Sequence, residues 1–198
     1  NLTSINEKQS IINIKRDKGF LVWIHMASVG ETMSVLPLID FLINNKKVDK
    51  ILLTTITLSS EKIIKKKFNK NQKVIHQFLP LDVPVIIKKF LKHWHPNVSI
   101  FIDSEIWPNI ISQIKLEKIP LLLVNARITK KTFNRWMFLK KFSKNIFEKF
   151  DLCLASSKES EIYLNTLGAQ NIKYYGNLKF SNIKDLINKN NKNFESSF

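Results

Sequence analysis

Three short polar clusters each combine a carboxylate or guanidinium with a turn-forming neighbour in a chain that is otherwise apolar or rich in lysine. The first is Ala27-Ser28-Val29-Gly30-Glu31. Gly30 lets a ligand approach the backbone closely, and the adjacent Glu31 carboxylate could take a proton from a sugar hydroxyl within hydrogen-bond reach. Ser28 and Glu31 also have capping-box spacing, so the same carboxylate could instead satisfy a backbone amide at a helix start. The second cluster is Asp103-Ser104-Glu105-Ile106-Trp107-Pro108-Asn109. Alternation along an extended segment places Asp103 and Glu105 on one side, where the two carboxyls could bind a ligand together, while Pro108 suits the first turn of a helix. Ordinary capping of that helix is the competing use, and Trp107 reads as core rather than as a ligand platform.

The third cluster, Asn125-Ala126-Arg127, carries one of only three arginines. Arg127 could pair with Glu31, with Glu105 or with an anionic ligand, an internal ion pair being the plainer outcome. Ser28, Gly30, Thr55, Asn125 and Arg127 are therefore the candidate substrate contacts. Lys179 is marked out among the lysines by the glycine-containing turn Gly176-Asn177-Leu178-Lys179-Phe180. His93 and His95 flank Trp94 without a nearby third ligand and His76 falls in a strand pattern, so no metal site is assigned. Cys153 lies mid-strand and reads as a small buried hydrophobe. No Walker pattern and no dinucleotide fingerprint is present in the sequence.

The elements that must position these clusters are legible in the apolar pattern. Strands are expected at Gly19–His25, Ile51–Ile56, Lys73–Leu79, Val98–Asp103, Pro120–Asn125, Asp151–Ala155 and Ile172–Tyr175, mostly continuous and β-branched, as suits strands buried on both faces. Helical spacing lies between them, near Thr32–Asn44, Ser60–Phe68, Val85–Trp94, Pro108–Glu117, Phe133–Phe150 and Ser157–Leu167. Alternation of this kind predicts an α/β fold with a doubly wound, mostly parallel sheet. Ser156 with Glu159 makes a capping box, Gly168 a helix stop, and Pro37 requires its helix to start late or bend. In such a sheet ligands bind beyond the carboxyl ends of the strands, where all three clusters fall. Residues 1–18 form a polar N-terminal segment, 19–183 one domain, and 184–198 a Lys/Asn-rich linker or tail.

Composition narrows the partners. The chain has 198 residues, 44% of them hydrophobic, enough for one ordinary core. Its net charge is +16, from 32 Lys+Arg against 16 Asp+Glu, and with three arginines the remaining 29 cations are lysine. Base and phosphate readers lean on the bidentate guanidinium, so specific nucleic-acid recognition is disfavoured. An anionic membrane surface and a simple compositional bias toward Lys, Ile and Asn are the two other sources of the charge. Lys130 to Lys149 interleaves Phe133, Trp136, Met137, Phe138, Phe142, Ile146 and Phe147 with cations. It suits either a membrane interface or a core-facing helix with a solvated lysine face. No apolar run approaches the roughly 20 residues that cross a bilayer.

The ordered motifs carry a family resemblance. Trp23-Ile24-His25-Met26-Ala27-Ser28-Val29-Gly30-Glu31-Thr32, Leu79-Pro80-Leu81-Asp82-Val83-Pro84, Ser104-Glu105-Ile106-Trp107-Pro108-Asn109, Asn125-Ala126-Arg127 and Gly176-Asn177-Leu178-Lys179-Phe180 follow the order typical of 3-deoxy-D-manno-octulosonic acid (Kdo) transferases. From about Gly19 to Ile183 the chain resembles their N-terminal domain. The resemblance implies the first of two Rossmann-like domains of a GT-B glycosyltransferase. That domain would hold a lipid A precursor, while a second one holds CMP-Kdo. It implies inverting transfer without a bound metal or other cofactor, at the cytoplasmic face of the inner membrane. By the same matching Glu31 is the expected general base, and Glu105 and Lys179 the expected transition-state-stabilising positions. The chain alone is expected to keep the acceptor site and to lack efficient donor binding. The alternative is a noncatalytic basic module that binds lipid or membrane.

Overall fold

The structure is a computed structural model that describes residues 2–10 and 14–174. Lys179 and its turn lie outside the described residues, as do Tyr175 and the tail. Among the described residues the order is α1(Leu2–Lys8), β1(Leu21–His25), α2(Val29–Asn44), β2(Lys50–Thr55), α3(Leu58–Phe68), β3(Val74–Phe78), α4(Pro84–Trp94), β4(Val98–Ile102), α5(Pro108–Leu116), β5(Leu121–Ala126), α6(Lys130–Phe138), α7(Lys140–Phe147), β6(Leu152–Ala155), α8(Lys158–Leu167) and β7(Ile172–Lys173). The strands form one sheet in the order β3-β2-β1-β4-β5-β6-β7, with every neighbouring pair parallel. The α/β, doubly wound fold expected from the sequence is the fold observed.

Alternation along the strands sends side chains to two cores. Trp23, Leu52, Phe101, Leu121 and Leu123 pack on one face with Ile87, Phe90 and Trp94 of α4, Ile110 and Ile114 of α5, Phe147 of α7 and Leu164 of α8. Val22, Ile24, Ile51, Leu53, Ile100 and Ile102 pack on the other with Val35 and Ile39 of α2 and Ile64 and Phe68 of α3. The chain therefore winds outward from β1 to β3 under one face, crosses to β4, and winds outward again under the other. Between β1 and β4 the winding reverses. A crevice opens at the carboxyl ends of strands at such a switch point, because the two following loops leave in opposite directions.

Local chemistry departs from the sequence expectation in four places. The helix expected over Phe133–Phe150 is two helices, broken at Leu139, where the Ser143 hydroxyl turns back to the carbonyls of Trp136 and Leu139. Helix α8 is capped by Ser157 rather than Ser156. The Ser157 Oγ accepts from the Ser160 N–H, and Glu159 bonds Tyr163 instead of completing a capping box. Helix α2 does not start late but runs through Pro37, from Val29 to Asn44. Helix α1, which the apolar pattern did not mark, lies against edge strand β3. There the Glu7 carboxylate accepts from the Phe78 N–H at 2.8 Å and the Lys8 carbonyl from Leu81 N–H at 2.9 Å. Gly168 ends α8 as expected, with φ 110°, a conformation that favours glycine.

Candidate active site

Strand β1 ends at His25, and the chain turns through Ala27 into α2, whose N-cap is Ser28. Ser28 Oγ accepts from the Glu31 N–H at 3.3 Å and donates to Glu31 Oε1 at 2.8 Å, while Glu31 Oε2 accepts from the Ala27 N–H at 2.7 Å. The Glu31 carboxylate is thus held at the positive end of α2, half-buried, and its two oxygens have different fixed partners. The capping use foreseen for this residue is present. It also holds both carboxylate oxygens in fixed positions at the carboxyl end of β1. Among the described residues Gly30 answers to no demand of backbone or packing. Its φ is not positive, and a Cβ placed there would meet only Ser28 Oγ, at 4.0 Å. The space in front of it is open.

Across the crevice β4 stops at Ile102, and Asp103 turns with φ 61°. Alternation therefore does not govern Asp103 and Glu105, contrary to the expectation that both extend along one side. Glu105 instead folds back over β1. Its Oε2 faces His25 Nε2 at 3.1 Å and accepts from the Trp107 Nε1–H at 2.9 Å. The competing capping use of Glu105 is not what α5 employs. The Asp82 carboxylate, from the loop after β3, accepts from the N–H groups of Asn109 and Ile110 at 3.3 and 2.8 Å. Burial works to raise the Glu105 carboxyl, but its interactions with His25 and the Trp107 N–H outweigh that effect and hold it below the ordinary carboxylate value. Trp107 packs against the core as expected, with its indole N–H spent on Glu105.

Strand β5 supplies the third side. Its ladder to β6 is irregular between Val124 and Ala126, and the intervening Asn125 has φ 56°. The bulge re-aims the strand end and brings the exposed Arg127 beside Asp103, whose carbonyl accepts from the Arg127 N–H at 3.4 Å. Arg127 makes no ion pair among the described residues, so the internal pairing foreseen for it is not formed there. Burial first, and then the negative charge of Glu31, push the Asp103 carboxyl up to about 6. Arg127 opposes that shift and Glu105 adds to it. Glu31, Glu105 and Arg127 thus all act electrostatically on Asp103. Thr55 does not join them, because it is fully buried and its hydroxyl lies 2.9 Å from His76 Nε2 inside the sheet.

Sequence reasoning passed over His25. It is fully buried at the end of β1, with Nδ1 3.0 Å from Thr54 Oγ1 and 3.1 Å from the Thr54 carbonyl. The available signal was an imidazole closing an otherwise apolar strand beside a carboxylate cluster.

This is a Rossmann-like α/β domain of the GT-B type, with an acidic and cationic cluster at its switch point. The family described as 3-deoxy-D-manno-octulosonic-acid transferase (kdotransferase) matches residues 3–182, and the chain belongs to that family. The 3-deoxy-D-manno-octulosonic acid transferase of Rickettsia typhi is 42% identical over 168 residues, 85% of this chain and 36% of the relative. That of Rickettsia bellii is 38% identical over 184 residues, 93% and 43% of the respective chains. A probable mitochondrial 3-deoxy-D-manno-octulosonic acid transferase of Arabidopsis thaliana is 38% identical over 169 residues, 83% and 37%. The chain thus spans well under half the length of these curated relatives. Among solved structures, UDP-GlcNAc 2-epimerase from Neisseria meningitidis bound to UDP-GlcNAc superposes with a TM-score of 0.58 at 13% identity. It covers 90% of this chain and 54% of that one, a likeness of fold.

Proposed function

We propose that this chain is the acceptor-side domain of an inverting glycosyltransferase that moves Kdo from CMP-Kdo to a lipid A precursor. The observation that carries the reading is the pair of carboxylates, Glu31 and Glu105, each fixed by hydrogen bonds at the carboxyl ends of β1 and β4 in a domain of the Kdo transferase family. In this reading Glu31 takes the proton of an acceptor sugar hydroxyl. The freed oxygen attacks the anomeric carbon of Kdo, and the bond to the CMP phosphate breaks with its electron pair leaving on that phosphate. Glu105, kept ionised, faces the positive charge that develops on the Kdo ring, while Lys179 offsets negative charge on the departing phosphate. Ser28, Gly30, Asn125 and Arg127 contact the acceptor, and Arg127 suits its anionic groups. The donor is held mainly by a second domain, with residues 184–198 leading toward it and 1–18 preceding the acceptor domain.

The acceptor places the work at a membrane, in this reading the cytoplasmic face of the inner membrane, and two features of the chain suit a lipid surface. At the α6–α7 corner Phe138 is 90% exposed and Leu139 57%, among the exposed cations Lys130, Lys131, Arg135, Lys140, Lys141 and Lys144. Around the carboxyl ends of β1 to β3, Met33, Leu58, Leu81 and Val85 are exposed as well. Such apolar groups ringed by cations suit an anionic lipid surface, to which each nearby lysine adds about 1 kcal/mol. No helix among the described residues is long and apolar enough to cross a membrane.

The test is a titration of the chain with a lipid A precursor in neutral and in anionic detergent micelles, repeated with Glu31→Ala and Glu105→Ala at matched salt. Saturable binding in neutral micelles, weakened by either substitution, is the expected result. Binding that follows micelle charge alone would instead make the chain a noncatalytic basic membrane module.

A further inference from the structure

The Glu105 carboxylate is held asymmetrically. Both of its protein partners, His25 Nε2 and Trp107 Nε1, converge on Oε2, at 3.1 and 2.9 Å. Oε1 has no hydrogen bond among the described residues, and it is not one of the buried side-chain atoms left without a partner. The ring that faces Oε2 is itself fixed from behind. It is fully buried, lies edge-on to Phe101 at 5.2 Å between ring centres, and has Thr54 against Nδ1.

The protons in this network can be counted. Trp23 Nε1–H donates to Thr54 Oγ1 at 2.9 Å, so that oxygen is already an acceptor and its own proton must go elsewhere. His25 Nδ1, 3.0 Å away, is the partner within reach. The Thr54 carbonyl, also near Nδ1, already accepts from the Met26 N–H at 3.0 Å. With Nδ1 accepting, a neutral imidazole carries its proton on Nε2, directed at Glu105 Oε2. Every proton from Trp23 through Thr54 and His25 to Glu105 then has one acceptor, and Trp107 supplies the last donor. An imidazolium donating from Nδ1 to the Thr54 carbonyl would deliver the same Nε2–H to Glu105. Only the neutral ring with its proton on Nδ1 would turn a lone pair toward the carboxylate.

We infer that His25 is a positioning residue for Glu105. Its Nε2–H pins Oε2 and turns Oε1 toward the crevice as a single aligned acceptor, and Trp23 and Thr54 of the sheet core fix the tautomer. This rests on the proposed acceptor-side reading for its consequence, but its geometry stands apart from that reading. It explains why a buried imidazole ends a strand whose other residues are apolar. It also ties the β1 and β4 sides of the crevice by a bond that spans eighty residues of sequence.

The test is nuclear magnetic resonance on the whole 198-residue chain. Long-range proton–nitrogen spectra should show His25 protonated at Nε2, and a neutral ring protonated at Nδ1 would overturn the inference without any variant being made. The Glu105 carboxyl carbon is then titrated in wild type, His25→Phe and His25→Gln. Phe keeps a flat ring and loses the donor, so the carboxyl should titrate higher than in wild type. Gln places an amide N–H near the position of Nε2–H and should restore the low value. Affinity for the lipid A precursor should fall about tenfold in His25→Phe and recover in His25→Gln, as expected for a charge-assisted hydrogen bond. An unchanged Glu105 titration in a folded His25→Phe chain would also overturn the inference. Wild-type chain that binds no glycolipid would overturn the acceptor reading instead, while the tautomer and the titration still judge His25.

Discussion

The two ends of the one sheet spend their polar side chains differently. At the amino end they are consumed in holding backbone. Asp49 accepts from the Phe20 N–H at 2.6 Å, Asn97 from the Leu21 N–H at 2.8 Å and Asp151 from the Leu121 N–H at 2.7 Å, which fixes the entries to β1 and β5. Lys73 donates to the carbonyls of Ile43, Asn45 and Val48, so one ammonium closes the C-terminus of α2. At the carboxyl end Asp103 and Arg127 bond through their backbones, and burial, with the negative charges of Glu31 and Glu105 adding to it, pushes the Asp103 carboxyl up to about 6. Buried like charge is tolerated only where something else holds the structure, and the rest of the sheet does so here. The difference separates residues that keep the fold from residues available to a ligand.

The largest effect expected from this contrast is at Glu31. Glu31→Gln can keep an oxygen that accepts from the Ala27 N–H while its amide N–H donates to Ser28 Oγ, so the α2 cap is largely preserved while the base is lost. Joined to the donor-side half of a relative, the variant should transfer Kdo about a thousandfold more slowly than the wild-type pairing, with a nearly unchanged melting temperature. Transfer near the wild-type rate would reduce Glu31 to a cap and erase the distinction between the two ends. Lys73→Met is the mirror experiment. It strands three carbonyls and should cost about 2 kcal/mol in urea unfolding, with glycolipid affinity unchanged. Weakened binding at constant stability would show that the amino end is not purely structural.

How much of this contrast could be read in advance follows from the range of the interactions. The seven strands and their order along the chain come from local apolar runs, and the carboxyl-end clusters follow from where those runs stop. The His25–Glu105 contact spans 80 positions, and the capping of α5 by Asp82 spans 28. Neither leaves a spacing signature. The break at Leu139 was equally silent, because no glycine or proline marks it and a Ser143 hydroxyl makes the turn. Asp82 also sharpens the comparison, since it stands at the carboxyl end yet serves backbone. Asp82→Ala should lose about 1 kcal/mol of stability, the usual cost of a helix cap, and leave the Glu105 titration in place. A shifted Glu105 titration would make the loop after β3 part of the site.

The smallest effect lies at Asp103, where burial and like charge act together. An acid whose folded value is about 6, against an ordinary 3.8, binds its proton more tightly folded than unfolded. Its contribution is therefore most favourable below pH about 4, declines as the pH rises toward 6, and is a constant penalty above that. Burial sets the sign, the charges of Glu31 and Glu105 add to it, and Arg127 opposes it. Asp103→Asn removes the ionisation, and Asn accepts the φ of 61° at this position with little strain. Melting curves should show the variant more stable than wild type by about 1 kcal/mol at pH 7, once solvent screening of a half-exposed group is allowed for. The advantage should shrink through pH 5 and vanish near pH 4. A difference that stays constant over this range would mean that neither burial nor the neighbouring acidic charges shift the Asp103 carboxyl, and the carboxyl end would then lose the electrostatic part of its contrast with the amino end.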